Sequence, residues 1–165
     1  MSIAGVKPSA NLTWFQAQQA CANAGKRLLR NGEWQVAAAG TPDPGAADDD
    51  STTCNTTNDG FPANDPVNTG SRSACVSRWG AFDMVGNVWE WVEDWVPLST
   101  GVCVSELFSG TGDVNCLMGA STTAGPGALV RGGDFSIDAG SGVFAVVGLD
   151  QPSVAAFGIG FRCAR

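Results

Sequence analysis

The chain contains no histidine and no tyrosine. Without an imidazole there is no Ser-His or Cys-His nucleophile pair and no Cys/His zinc site, and without a phenol there is no tyrosine acid. Basic residues are few, 9 Lys and Arg against 16 Asp and Glu, so the formal net charge is -7. Such a field repels phosphate backbones and anionic membranes, which argues against nucleic acid as a partner. No apolar run approaches the roughly 20 residues of a membrane helix, and the sequence after Met1 lacks the basic and apolar regions of a signal peptide. Direct membrane insertion is not expected, and any leader or anchoring domain is expected to lie outside this sequence.

What is present fits one domain: 165 residues suffice for a core and are too few for two comfortable ones. Charged residues make up only 15% of the chain, and its 22 glycines point to turns and irregular loops rather than long helices. Six cysteines, Cys21, Cys54, Cys75, Cys103, Cys116 and Cys163, include no C-x-x-C pair. Their even number favours three disulfides. Local spacing pairs Cys54 with Cys75 and Cys103 with Cys116, leaving Cys21 for Cys163; the competing reading is buried free thiols. Disulfides persist in oxidising surroundings, so an extracellular, cell-surface or virion-surface location is expected.

Thr13-Trp14-Phe15-Gln16 has capping-box form, and Ala17, Ala20, Cys21 and Ala24 follow at helical spacing before Gly25. A second helix is expected over 33–39, with Asn31 as N-cap and Gly40 as stop. Residues 41–78, rich in Pro, Asp, Asn, Thr and Gly, read as a long loop held by Cys54–Cys75, with Asp48-Asp49-Asp50 as a solvated turn. Residues 88–95 alternate Val88, Glu90 and Val92 against Trp89 and Trp91, with Trp95 following, a strand whose aromatic face is core. Residues 97–127 form a second Gly-, Ser- and Thr-rich insertion, and 129–130, 143–147 and 160–163 are further strand candidates.

Three motifs carry the functional reading: Asp83-Met84-Val85-Gly86-Asn87-Val88-Trp89-Glu90-Trp91, Val130-Arg131-Gly132-Gly133-Asp134-Phe135, and Gly158-Ile159-Gly160-Phe161-Arg162-Cys163. Together they resemble the formylglycine-generating enzyme and sulfatase-modifying-factor family, whose fold is C-type-lectin-like. The resemblance implies a single α+β domain over 1–165, with two helices, short antiparallel strands and long irregular loops. It also implies a disulfide from the first helix to the cysteine of Gly-Phe-Arg-Cys, which supports Cys21 with Cys163.

The resemblance carries calcium as a structural cofactor, held at positions that here are Asp83, Gly86, Val88 and Glu90. Two carboxylates around a flexible glycine, with carbonyls between them, are hard oxygen donors of the kind calcium accepts. A weaker second site is echoed by Asp59 and the Phe61 carbonyl, with Asn55 and Thr56 upstream. The competing reading is a hydrogen-bonded turn.

Enzymes of the family hold copper on a cysteine pair between the Arg-Gly-Gly and Gly-Phe-Arg motifs, and a related iron-dependent branch uses histidines. Residues 136–144 here contain no cysteine, and the chain has no histidine, so no enzyme is expected. The frame is most similar to the variable proteins of diversity-generating retroelements, in which adenine-directed mutagenesis rewrites a C-terminal region while the core stays fixed. Residues 124–165 contain no Asn, Lys, Thr, Glu, Tyr or His, a depletion consistent with that process. The expected function is binding of a protein or glycan ligand on another cell by a variable region of about 131–165. Expected contacts are Phe135, Ile137, Asp138, Ser141, Val147, Leu149, Asp150, Val154, Ala156 and Phe157, with Val143, Phe144, Ile159 and Phe161 in the core. The alternatives are a catalytically dead homologue binding peptide in the old substrate groove, and an enzyme of unknown chemistry.

Overall fold

The first helix, α1 (Trp14–Asn23), starts where the sequence marks it. The Thr13 hydroxyl accepts from the Gln16 amide at 3.2 Å while the Gln16 side chain accepts from the Thr13 amide at 2.9 Å, a reciprocal capping box. Trp14, Ala17 and Cys21 form its buried stripe. Gly25, with φ +67°, turns the chain out of the helix. The computed structural model describes residues 3–57, 65–97, 110–119 and 125–165.

Strand β1 (Arg27–Leu28) leads into α2 (Asn31–Ala38). This helix begins two residues before the expected start, with Arg30 rather than Asn31 as N-cap. Carboxylates decide the point: Glu33 accepts from the Arg30 amide at 2.9 Å and Asp94 from the Asn31 amide at 2.6 Å. Both acids satisfy donors at the positive end of the helix.

Strand β2 (Trp89–Val96) lies inside a five-stranded sheet with β3 (Asn115–Cys116), β4 (Gly127–Arg131), β5 (Val146–Val147) and β6 (Ile159–Phe161), in the order β3-β5-β4-β2-β6. The expectation of antiparallel strands fails for two of the pairs. β2 pairs antiparallel with β4 but parallel with β6, and β3 runs parallel to β5. Because β4 returns the chain antiparallel to β2, a connection at one end of the sheet brings β6 in parallel to β2. Strand β7 (Cys163–Ala164) pairs antiparallel with β1, and the Cys21–Cys163 disulfide closes the same corner.

Both faces of the sheet are covered near its centre. Trp91, Val130 and Ile159 pack with Trp14, Ala17 and Leu28 on one side, and Val92, Leu129 and Val146 pack with Trp34, Ala38 and Met84 on the other. Glu90, Trp91 and Val92 are consequently buried in succession, the pattern of a strand covered on two faces. A fully buried side chain such as Leu28 or Val92 contributes about 2 kcal/mol by leaving water. The expectation that the whole aromatic face is core fails at Trp95, which is 40% exposed. A register shift between Trp91 and Trp95 carries the end of β2 away from the packed centre.

The loop after α2 is held by Cys54–Cys75 and by its acids. Asp49 accepts from the amides of Ser51, Thr52 and Thr53. The Asp48 side chain is not solvated as expected: it is fully buried, 3.5 Å from the guanidinium of Arg72. A buried cation needs that charge beside it.

Candidate functional site

The C-terminal segment is fixed from below by Arg131. Its guanidinium lies 4.7 Å from the centroid of the Trp34 ring and donates to the carbonyls of Val143, Phe144 and Ala145 at 3.2, 3.4 and 3.0 Å. It also reaches the Gln35 side chain. Burial lowers its pKa to about 10, partly opposed by the charge of Asp113. The Gly-Gly that follows allows close approach, since a Cβ on Gly133 would fall 2.3 Å from Ser141 Oγ. Ser141 is completely buried, and its hydroxyl donates to the Asp134 carbonyl at 2.9 Å.

Ser141 therefore belongs to the support and is removed from the expected contacts. Phe135 is removed as well: it is buried and packs edge-on beneath Phe157 at 6.0 Å between ring centroids. Val147 and Ala156 are partly buried against the core. Asp138, Leu149 and Phe157 are exposed, and Ile137, Asp150 and Val154 are half-buried. Of the expected core residues Ile159 is buried, whereas Val143, Phe144 and Phe161 are half-buried. Burial raises the pKa of the Asp150 carboxyl, and that of Asp134 against two hydrogen bonds from Ser136.

The two carboxylates among the expected calcium ligands, Asp83 and Glu90, are already engaged by other donors. Glu90 Oε2 accepts from Trp34 Nε1 at 2.7 Å and from Arg162 Nε at 2.6 Å, while Oε1 accepts from Arg162 Nη2. The same Nη2 donates to the carbonyl of Phe82 at 3.1 Å and reaches that of Asp83 at 3.5 Å. Asp83 Oδ2 accepts from the Gly70 amide at 2.8 Å, and burial raises the pKa of this carboxyl. The cation among these oxygens is thus a guanidinium, and a divalent ion would have to displace it or share a carboxylate with it. Among the described residues no three His, Cys, Asp or Glu side chains cluster as a metal site.

At the weaker site, Asn55 and Thr56 have structural partners: Asn55 Nδ2 donates to Asn87 Oδ1 at 3.3 Å, and the Thr56 hydroxyl donates to the Gly45 carbonyl at 2.7 Å. Asp59 and Phe61 lie outside the described residues. Cys116 is disulfide-bonded, and its expected partner Cys103 also lies outside them.

Two features escaped the sequence reading. Phe15 and Trp95, both exposed, form an edge-on aromatic trio with Trp14. A shallow groove of about 730 Å³ lies between α2 and Trp79, lined by Gly32, Val36, Ala37, Trp79 and the charged Arg30, Glu33 and Asp94. None of its residues belongs to 131–165. An exposed Phe in a capping box and a Trp at a strand end were the available signals for the first feature.

The mixed sheet, the two helices and the Gly-Gly and Gly-Phe-Arg-Cys frame define a C-type-lectin-like domain. Residues 2–165 match the sulfatase-modifying factor enzyme 1-like domain, and the chain belongs to that family. It is 32% identical over 141 residues to hercynine oxygenase of Mycolicibacterium smegmatis, covering 77% of this chain and 33% of the oxygenase. The fold is shared with the Major Tropism Determinant P3c variant (TM-score 0.60, 24% identity, 92% of this chain and 36% of that one). It is shared also with Treponema denticola variable protein 1 (TM-score 0.58, 17% identity, 95% of this chain and 70% of that one). Both are variable proteins of the kind the sequence resembles. The chain thus spans about a third of the length of the oxygenase and of the tropism determinant.

Proposed function

We propose that this chain is a non-enzymatic display protein whose segment 131–165 presents a diversified surface to a ligand on another cell, from an extracellular or virion-surface position. The observation that supports this most is the division of labour within the segment. Arg131 holds its neighbours through three carbonyls and Ser141 is sealed inside, whereas Asp138, Leu149 and Phe157 face solvent. Side chains of the second kind can change without disturbing the first. The disulfides fit an oxidising location. Among the described residues no helix is long and apolar enough to cross a membrane.

The oxygenase relative favours an enzyme as the second reading. Against it stands the inventory: the chain has no histidine, and among the described residues no cysteine is free. Sequencing the DNA around the gene tests the first reading. A reverse transcriptase beside a near-copy of the codons for 131–165 is expected; absence of both would remove the diversified surface, and turnover of a thiol substrate by the purified chain would restore the enzyme.

A further inference from the structure

We infer that the recognition face takes an arginine- or lysine-bearing segment of a protein partner, seated between a fixed aromatic wall, Phe15 and Trp95, and the carboxylate of Asp150. The inference rests on the recognition reading above and adds two contact residues from outside 131–165 and the chemistry of the partner.

The wall is built to stay open. Phe15 is 50% exposed and Trp95 40% exposed, and their rings meet edge-on at 6.0 Å. Each also packs edge-on against Trp14, at 5.4 and 5.1 Å. Trp14 is buried and pinned, its Nε1 donating to the Val92 carbonyl at 2.7 Å and its amide to the Pro152 carbonyl at 3.0 Å. Large aromatics held rigidly with half their surface in water are a costly arrangement for a core and a common one for an interface.

Asp150 is tied to this wall by main-chain contacts. Its carbonyl accepts from the Ala128 amide at 2.8 Å, and Ala128 is the register partner of Trp95 in the sheet. Two residues further on, Pro152 receives the amide of Trp14. The backbone of 150–152 is therefore bonded to α1, which carries Phe15, and to β4, the strand paired with Trp95. The carboxyl of Asp150 has neither a hydrogen bond nor an ion pair among the described residues, although it is partly withdrawn from water. A guanidinium or ammonium group would supply the missing charge and donors. The same cation is attracted to an aromatic ring, and its methylene stem covers apolar surface. Arginine suits the site best, because its planar fork can stack on a ring and bond a carboxylate at once. The chain's net charge of -7 draws basic partners towards it.

The probe is a phage-displayed library of random dodecapeptides panned on the whole chain, followed by synthetic copies of the winners. Winners are expected to carry Arg or Lys. Their affinity should fall at least about tenfold on Asp150→Asn, on Phe15→Ser, on Trp95→Ser and on citrulline replacement of the peptide's arginine. Melting curves identify any variant that has lost its fold, and the exposed Phe15→Ser carries the comparison if Trp95→Ser unfolds. Peptides that ignore these changes but are lost on Leu149→Ser or Phe157→Ser would overturn the inference and leave the recognition reading standing. Peptides that ignore all of them would overturn both. Failure to enrich any peptide above an unrelated control protein, or binding confined to arrayed glycans, would overturn the assignment of a basic protein partner.

Discussion

Arg162 and Glu90, 72 residues apart, meet in a two-point ion pair whose Nε to Oε2 distance is 2.6 Å. The pair ties the Gly-Phe-Arg end of the chain to the middle of the sheet, and Trp34 adds a third donor from the second helix. Three elements distant in sequence are thus joined at one carboxylate.

Removing that carboxylate's charge should be expensive. Glu90→Gln leaves a partly buried guanidinium without its counter-charge, and the expected loss is roughly 3 kcal/mol in urea denaturation. Chelator should leave the melting temperature of the unmodified chain unchanged. A fall on chelation that added calcium reverses would show an ion among these oxygens after all.

The Cys21–Cys163 bridge spans 142 residues, so it constrains the unfolded chain strongly. Replacing both cysteines by serine should cost about 4 kcal/mol, read as a lowered urea midpoint. Mass spectrometry of a non-reduced digest should find this link, Cys54 with Cys75, and Cys103 with Cys116. A Cys116 peptide joined to any other cysteine would break the proposed framework.

Gly133→Ala tests the support beneath the C-terminal segment. The added methyl would meet Ser141 Oγ at 2.3 Å and Ser141 Cα at 2.5 Å, at a φ of +83°. Overpacking and left-handed strain together predict a loss of roughly 3 kcal/mol. Ser141→Gly in the same chain should recover part of it, because the clash with the side chain goes while the contact with the Cα of residue 141 and the backbone strain remain.

Asp150 should make stability depend on pH in an unusual direction for an aspartate. Burial raises its folded-state pKa above the unfolded value. The favourable contribution is therefore complete below the unfolded pKa of about 3.9 and is lost as pH rises through the folded value. Asp150→Asn should leave the melting temperature nearly unchanged near pH 3.5 and raise it at pH 7. A variant less stable than the parent at pH 7 would reveal a native partner for the carboxylate.

Local signals and frame motifs made much of this fold legible. Thr13 and Gln16 announced α1, and the even cysteines with the Gly-Phe-Arg-Cys terminus announced the Cys21–Cys163 closure. What stayed hidden depends on partners far away in sequence. Trp95 follows a run of buried strand residues, and only the register shift puts it in solvent. Ser141 sits in a Gly-rich stretch that reads as surface, yet it plugs the space that Gly133 leaves. Asp48 reads as part of a solvated acidic run until Arg72, 24 positions on by their numbering, is seen beside it. For Glu90 the spacing showed an oxygen-rich bend, and only folding brings Arg162 to it.

The grip of Arg131 has an evolutionary corollary. It grasps Val143, Phe144 and Ala145 by their carbonyl oxygens, atoms that all twenty amino acids, proline included, present alike. Such a fastening is blind to the genetic code. Codons for those three positions can be rewritten without unhooking the loop, so long as each new side chain tolerates the same backbone path.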